Sequence, residues 1–335
     1  MKGFVLPKVS PSAAKKPRIF TTHGDRRVDE YSWLQKSDDA KVKSYIEAEN
    51  EYASAAMKDT KALQGKLYKE IRGRLIEDDM SVPMKHSPYY YYTRTKKGKQ
   101  YAIHCRTLGK NGKEEIILDE NFYARGKTFF AIGSMEVSPD NRLLAYSIDT
   151  KGDERFTLYI KDLKTKRVLA ERIRSADGLV WSADSAYLFY ALEEHPFPPR
   201  KVYRHRIGTD PKDDALVYAE KDKQWYVGVS DSSDKEYLFI HTGNFDTTEC
   251  WYMRTDAPLS EPKLIARRKK KVKYGVEHVK GKFFITTNEH AVNYKIMQTP
   301  VEDLRKTSWK SWMPHDIGRA ITGFAPFATF SIVTL

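Results

Sequence analysis

The sequence lacks the features that mark disulfide-stabilised and membrane-spanning proteins. It has two cysteines in 335 residues, Cys105 and Cys250, and they fall in different repeat units. This low count predicts free thiols in a cytoplasmic protein rather than an extracellular disulfide framework. No apolar run approaches the ~20 residues of a membrane helix, and the first twenty residues contain no signal-peptide core. We therefore expect a cytoplasmic location without membrane association.

Catalytic and metal-binding motifs are also missing. The sequence contains no Gly-x-Ser-x-Gly, no His-Glu-x-x-His and no glycine-rich phosphate loop, and its cysteine and histidine spacings fit no zinc site. His195, which precedes Pro196, and His205 are interpreted as structural or surface residues. Glu193-Glu194 would point to opposite faces of a strand, which makes a poor acid–base pair. We predict no catalytic residue, no metal and no cofactor in this chain.

Positive charge is the one component in excess. Lysine and arginine number 58 against 45 aspartates and glutamates, a net charge of +13. A basic cluster occupies residues 267–273, where Lys and Arg fill six of seven positions. Such a cluster could bind phosphate groups. The interpretation we favour is a solvated connector between two strands, and nucleic acid is not an expected partner.

A strand repeat organises the rest of the sequence. Its clearest copy opens with Ser138-Pro139-Asp140-Asn141, a turn signal, and continues through a short apolar run, a polar hairpin and an alternating strand. Similar phrases begin at Ser182 and Ser230, after 44 and 48 residues, and weaker copies begin at Ser87 and near His278. A period in the forties with short strands is typical of β-propeller blades. The sequence therefore predicts a mainly β propeller of about five blades and a partial one.

The first part of the chain has a different pattern. Asp38-Asp39 is a suitable N-terminal cap for a helix, and a second amphipathic stretch places Leu63, Leu67, Ile71 and Leu75 four residues apart. From residue 76 onward the pattern becomes that of strands. We predict a domain of residues 1–75, consisting of an extended arm and helices, and an incomplete propeller of residues 76–335.

Several motifs, in a fixed order, resemble the prolyl oligopeptidase family of serine peptidases, with oligopeptidase B as the closer match. The resemblance covers most of the chain. The motifs are Asp29-x-Tyr31-x-Trp33-Leu34, Ile71-Arg72-Gly73-Arg74, Val82-Pro83, Tyr91-Tyr92-Thr93-Arg94, Gly133-x-Met135-x-x-Ser138-Pro139-Asp140, His195-Pro196 and Val202-Tyr203-Arg204-His205.

The resemblance implies a seven-bladed propeller that covers an α/β-hydrolase domain, with the N-terminal helices packed on that catalytic domain. It implies hydrolysis of short peptides after Lys or Arg in the cytosol, with the propeller acting as a size filter. The family's catalytic triad belongs to the hydrolase domain, which these 335 residues do not contain, so we expect a truncated and inactive chain. The resemblance also makes Glu154 an expected contact with the catalytic domain.

Two hypotheses follow. In the first, the chain is the propeller portion of an oligopeptidase B-like peptidase, with the catalytic domain and short basic peptides as its partners. In the second, it is a stand-alone interaction module that binds through the basic cluster of residues 267–273. With fewer blades than seven, the final strand pair is expected to expose the apolar side chains of Phe324, Phe327, Phe330 and Ile332.

Overall fold

The computed structural model describes residues 9–86, 88–194 and 197–335. Two sequence predictions fall on positions outside this range, namely Ser87 as a repeat start and the His195-Pro196 loop. Contacts between residues separate the chain into two units, Met1–Asp79 and Met80–Leu335. The first unit contains two helices and a hairpin, and the second consists almost entirely of strands. In the described part of the chain no helix is both long and apolar enough to cross a membrane.

The first unit begins with a hairpin that the sequence did not predict. Strand β1 (Arg18–Thr22) pairs antiparallel with β2 (Asp25–Asp29). The turn between them is made by His23 and Gly24, both at positive φ. Its strands are exposed and have no alternating apolar pattern, because the pair has no buried face. A single 3₁₀ turn, Ser32–Gln35, then leads toward the helices.

Helices α1 (Ala40–Ala56) and α2 (Lys61–Gly73) confirm the predicted helical pattern. Asp39 caps α1, and its carboxylate accepts the backbone N–H of Lys41 at 2.8 Å. The predicted apolar stripe of α2 is present, although Leu75 lies beyond the helix end. Its members, Leu63, Leu67, Ile71 and Leu75, are all exposed. The stripe is therefore formed as predicted but remains uncovered.

Over residues 80–86, 88–194 and 197–335, the second unit contains five four-stranded antiparallel sheets and a final pair. Each sheet takes its strands in sequence order, as propeller blades do. Sheet 1 has β3 (Met84–His86), β4 (Tyr89–Arg94), β5 (Ile103–Leu108) and β6 (Glu114–Asp119), followed by a short helix α3 (Glu120–Tyr123). Sheet 2 has β7 (Ala131–Val137), β8 (Leu143–Asp149), β9 (Thr157–Asp162) and β10 (Ile173–Arg174). Sheet 3 has β11 (Ala176–Trp181), β12 (Tyr187–Glu194), β13 (Phe197–Arg206) and β14 (Ala215–Ala219).

The remaining strands complete the series. Sheet 4 has β15 (Tyr226–Asp231), β16 (Tyr237–Gly243), β17 (Thr248–Arg254) and β18 (Lys263–Ala266). Sheet 5 has β19 (Tyr274–Val279), β20 (Lys282–Thr287), β21 (Lys295–Pro300) and β22 (Lys310–Met313). The final pair is β23 (Gly323–Pro326) and β24 (Ser331–Thr334). The predicted five blades and a partial one are confirmed.

The repeated serine phrase forms the turn between the first and second strands of three sheets. In each turn the serine hydroxyl donates to a carboxylate two residues later and accepts the backbone N–H five residues later. The accepted bonds measure 2.9 Å from Leu143 to Ser138, 2.9 Å from Tyr187 to Ser182 and 3.0 Å from Tyr237 to Ser232.

This geometry corrects one repeat boundary. The third copy is centred on Ser232 rather than Ser230, so it follows Ser182 by 50 residues instead of 48. Ser230 lies within β15, the strand that leads into this turn. Of the serines at 230 and 232, only Ser232 has an aspartate two residues later, as Ser138 and Ser182 do, and its hydroxyl donates to that aspartate, Asp234, at 2.7 Å.

Apolar clusters between neighbouring sheets hold the series together. Strand β8 shows how, because its alternate side chains contribute to two clusters. Leu143 and Ala145 pack with sheet 3, whereas Leu144 and Tyr146 pack with sheet 1. Further clusters join sheet 3 to sheet 4, sheet 4 to sheet 5, and sheet 5 to the final pair. A continuous apolar run is what a strand buried on both faces requires.

The final pair confirms most of the expected exposed apolar face and corrects one member of it. Phe327, Phe330 and Ile332 are exposed. Phe324 is half-buried instead, because its ring packs 5.5 Å from that of Phe284 and 5.3 Å from that of Trp312. Sheet 5 therefore covers the Phe324 side chain of β23. The exposed apolar side chains begin at the turn after β23.

Both cysteines are free and buried, as predicted. Cys105 lies on β5 of sheet 1 and Cys250 on β17 of sheet 4. Burial raises the pKa of Cys105 to about 11 and raises that of Cys250 further. Both thiols are therefore protonated and unreactive at neutral pH in the folded protein.

Candidate functional site

Strand order places several charged loops on one face of the second unit. Because neighbouring strands run antiparallel, the hairpin between the second and third strands of a sheet lies at the same end as the connector to the next sheet. This end carries the hairpin of residues 150–156, residue Ser175, and the connector of residues 267–273. We call it the Glu154 face. The Ser-x-Asp turns lie at the opposite end.

Glu154 lies at the exposed tip of the hairpin between β8 and β9. Its φ is +59°, a left-handed conformation that is uncommon for a residue with a Cβ. The carboxylate of Asp149 fixes this conformation by accepting the N–H groups of Lys151 at 2.7 Å, Gly152 at 3.1 Å and Glu154 at 3.0 Å. Burial raises the pKa of Asp149, but these bonds lower it more, so the group is ionised. A role for Glu154 in contacting a catalytic domain remains a prediction.

A cavity of about 410 Å³ lies beside this hairpin. Its lining includes three cationic side chains, those of Lys151, Arg155 and Arg174, together with the hydroxyl-bearing side chains of Thr157 and Tyr159. Sequence analysis did not identify this group, because Arg174 is nineteen residues from Arg155 and belongs to a strand of only two residues. The pairing of β10 with β9 brings them together.

The basic cluster of residues 267–273 is the connector between β18 and β19, as predicted. Its Arg268 bonds to Glu220 at 2.6 Å and to Glu249 at 2.9 Å, and its guanidinium lies 3.8 Å from the centre of the Trp225 ring. Burial lowers the pKa of Arg268, but the bonds to Glu249 and Glu220 raise it overall. Lys269 pairs with Glu289 at 3.1 Å. Two side chains of the cluster are therefore engaged within the protein, where they join neighbouring sheets.

His205 and Glu194 both bond to neighbouring side chains within the strand unit. His205 lies on β13, fully buried, with its Nδ1 2.7 Å from a carboxylate oxygen of Asp214, which also accepts the hydroxyl of Tyr190 at 2.8 Å. His205 is thus buried rather than at the surface, and its contact with Asp214 joins β13 to the segment before β14. Glu194 of the Glu193-Glu194 pair bonds to Arg200 and Lys201 at 3.1 and 2.5 Å, so it too has a structural role.

Sequence analysis missed a serine–histidine contact. Ser230 Oγ lies 2.7 Å from Nε2 of His241, and both line a cavity of about 660 Å³. Burial lowers the pKa of His241 to about 4, so the ring is neutral at pH 7. Across residues 9–86, 88–194 and 197–335, no carboxylate hydrogen-bonds to His241. The pair therefore lacks the third group that orients a catalytic histidine.

One group of potential metal ligands was also missed. Ligand atoms of Asp234, Glu236 and His278 lie within 4.8 Å of one another. Nδ1 of His278 is 2.8 Å from a carboxylate oxygen of Asp234, and the other oxygen of Asp234 accepts the hydroxyl of Ser232 at 2.7 Å. Two of the three groups thus already satisfy each other in joining sheet 4 to sheet 5.

Comparison with known proteins agrees with this architecture. The family model for the N-terminal β-propeller domain of prolyl oligopeptidase matches residues 11–335. The chain is 34% identical to dipeptidyl aminopeptidase BI of Pseudoxanthomonas mexicana over 96% of its own length and 48% of that protein. It is 32% identical to protease 2 of Moraxella lacunata over 88% of its length and 44% of that protein.

The solved structure of oligopeptidase B from Trypanosoma brucei superposes with a TM-score of 0.89 at 29% identity, covering 97% of this chain and 49% of that one. Oligopeptidase B from Leishmania major gives 0.91 at 27% identity, with 98% and 49% covered. The strand unit is thus a β-propeller domain of the kind found in two-domain peptidases. The chain belongs to the prolyl oligopeptidase family, and it spans about half the length of the curated relatives it matches.

Proposed function

We propose that this chain is the N-terminal propeller portion of an oligopeptidase B-like serine peptidase, whose chemistry resides in an α/β-hydrolase domain outside these 335 residues. One observation carries the proposal: 97% of the chain aligns with 49% of oligopeptidase B from Trypanosoma brucei. The activity is the hydrolysis of short peptides after Lys or Arg, in the cytoplasm. The two unpaired thiols support that location.

Acidic side chains near the propeller axis support a preference for cationic peptides. Glu136 lies on β7 and Glu277 on β19, each the first strand of its sheet, whereas Asp231 of β15 is already paired with Lys235 at 2.7 Å. First strands lie innermost, since β7 contacts β11 and β11 contacts β15. Burial raises the pKa of Glu136 and of Glu277. A cationic peptide side chain nearby would favour their ionised forms and be attracted by them.

The propeller acts as a size filter in this proposal. Each of sheets 2 to 5 packs on neighbours through clusters of buried side chains. Separating two sheets to admit a folded protein would expose those side chains to water at roughly 25 cal/mol per Å². A short peptide needs no such separation. The filter thus follows from the cohesion of the blades.

Glu154 contacts the catalytic domain in this proposal. Its exposed tip position and the three bonds that Asp149 makes to the hairpin support the role, because they fix the backbone from which the side chain projects. A partner cation on the catalytic domain would meet a side chain whose backbone is already ordered, so that little entropy is lost on contact.

The gene provides the first test. We expect the reading frame to continue beyond the codon for Leu335 into a segment that encodes Gly-x-Ser-x-Gly, followed by an aspartate and a histidine for the triad. A stop codon directly after Leu335, with no such segment encoded elsewhere to complement it, would contradict the proposal.

Activity provides the second test. The purified 335-residue chain should not cleave a fluorogenic peptide with arginine before the reporter, because an activated serine and an oxyanion hole are required. The extended protein should cleave it, and Glu154→Gln should lower kcat/KM about tenfold if the interdomain contact orders the active site. Glu261→Gln, an exposed change at the opposite end of the propeller, is the control. Cleavage by the short chain that a serine-directed phosphonate blocks would overturn the assignment of the chemistry.

A further inference from the structure

The cavity beside the Glu154 hairpin combines positive charge with a fixed shape. Lys151 and Arg155 come from the hairpin between β8 and β9, and Arg174 comes from β10. In the described ranges, none of the three cationic groups lies within 4.0 Å of a carboxylate. Other guanidinium groups of the same unit, such as those of Arg106 and Arg268, are paired with glutamates at 2.6 to 2.9 Å. The cavity therefore keeps its cationic donors available.

The acidic residues of the lining do not neutralise these cations. Asp149 is buried, and its oxygens accept three backbone N–H groups of the hairpin. Asp153 accepts the backbone N–H of Arg155 at 3.3 Å and is exposed to water. Three cationic side chains against the two carboxylates of Asp149 and Asp153 leave a formal charge of +1 in the lining, so the cavity favours an incoming anion.

We propose that this cavity binds a carboxylate group of a short peptide. Two guanidinium groups can each present a planar pair of N–H donors, the geometry that matches a carboxylate. The hydroxyl-bearing side chains of Thr157 and Tyr159 line the same space and can bond to the neighbouring peptide unit. The hairpin that carries Arg155 is already ordered by Asp149, so binding requires little rearrangement.

This inference rests on the proposed peptidase function and adds a substrate contact to it. The cavity lies on the Glu154 face, where the proposal also places the catalytic domain. A carboxylate held there would anchor a peptide away from the bond to be cleaved. The carboxylate could be the C-terminus or the side chain of an acidic residue, and both have the same chemistry.

Saturation-transfer NMR on the full 335-residue chain tests the proposal without requiring hydrolysis. The probes are N-acetyl-Ala-Ala-Ala as the free acid, the same peptide as its amide, and N-acetyl-Ala-Glu-Ala amide. We expect the free acid to bind about tenfold more tightly than the amide, because charge-assisted hydrogen bonds are lost with the charge. If the glutamate peptide binds like the free acid, a side-chain carboxylate also fits. If it binds like the amide, the site takes the C-terminus.

Substitutions locate the binding. Arg174→Gln and Arg155→Gln should each weaken binding of the free acid about tenfold, and the matched control Lys164→Gln, an exposed change at the opposite end of sheet 2, should not. All three positions are exposed, and an unchanged Tm verifies folding. Equal affinity for free acid and amide, or unchanged affinity in both arginine variants, would overturn the proposal. Because no cleavage is measured, a failure of the proposed peptidase function would leave this result intact.

Discussion

The two units of the chain bury their apolar residues very differently. Among the described residues of Met1–Asp79, Val42 is the one buried apolar side chain, and the stripe of α2 is exposed. In Met80–Leu335 every sheet contributes to at least one cluster of buried side chains. Helices in water draw most of their stability from packing of an apolar face. The strand unit therefore contains its own source of stability, whereas the apolar stripe of α2 contributes little because it is exposed to water.

The largest expected effect comes from the same substitution made in each unit. Leu188→Ala removes a side chain that is 0% exposed between sheets 2 and 3 and should lower the free energy of unfolding by about 3 kcal/mol. Leu67→Ala, at a position 46% exposed on α2, should change it by less than about 0.5 kcal/mol. Urea unfolding followed by tryptophan fluorescence measures both. Equal losses of unfolding free energy in the two variants would show that the apolar side chains of α2 stabilise the protein as much as those between the sheets.

A similar contrast separates two arginines of the strand unit. Arg268→Gln leaves Glu220 and Glu249, whose side chains are only 6% and 7% exposed, without their shared cation. We expect a loss of about 3 kcal/mol. Arg254→Gln, which breaks an exposed pair with Asp256, should cost less than about 1 kcal/mol. Thermal unfolding compares the two, and an equally small loss for both would remove Arg268 from the contacts that join the sheets.

The contact between Arg268 and Glu220 should also make the stability of the strand unit depend on pH. Burial raises the pKa of Glu220, but the bond from Arg268 and other bonds lower it below its usual value of 4.5. A depressed folded-state pKa contributes stability above the unfolded pKa, and that contribution is lost as pH falls through the folded value. Stability should therefore fall below about pH 4.5 more steeply in the wild type than in Arg268→Gln. If the free energy of unfolding depended on pH in the same way in the wild type and in Arg268→Gln, Arg268 would not be the group that lowers the pKa of Glu220.

The smallest effect concerns the start of α1. Asp39→Ala removes the acceptor for the N–H of Lys41 and should cost about 1 kcal/mol of helix stability. Because the strand unit has its own core, we expect the loss in far-ultraviolet helical signal on warming, with the near-ultraviolet transition unchanged. Asp39→Asn, which retains the cap, is the control. A matching shift in the near-ultraviolet transition would mean that α1 and the sheets unfold together.

Periodicity made the strand unit predictable. The alternation in β9 and the continuous apolar run of β8 both determine which faces are buried, and the Ser-x-Asp turn marks where the strands reverse. The hairpin of β1 and β2 was not predictable, because an exposed pair leaves no apolar pattern. The boundary at Ser230 was misplaced by two residues, although only Ser232 of the two serines has an aspartate two residues later, the spacing that Ser138 and Ser182 share.

The candidate site was less predictable than the fold. Glu154 was predicted through resemblance and stays a prediction, whereas its hairpin was predicted from the polar segment after β8. The cavity with Arg155 and Arg174, and the bonds of Arg268 to Glu220 and Glu249, join residues distant in sequence. Charged side chains have no periodicity that identifies their partners. Strand pairing and sheet packing decide which of them meet.

Hydrogen exchange measured by mass spectrometry on the intact chain tests most directly whether the strand unit is stable by itself. Amides of the second strands β8, β12, β16 and β20 should exchange only through global unfolding, because both their faces and their edges are covered. Amides of α1 and α2 should exchange orders of magnitude faster, through local opening. Protection of the helices equal to that of these strands would contradict the account.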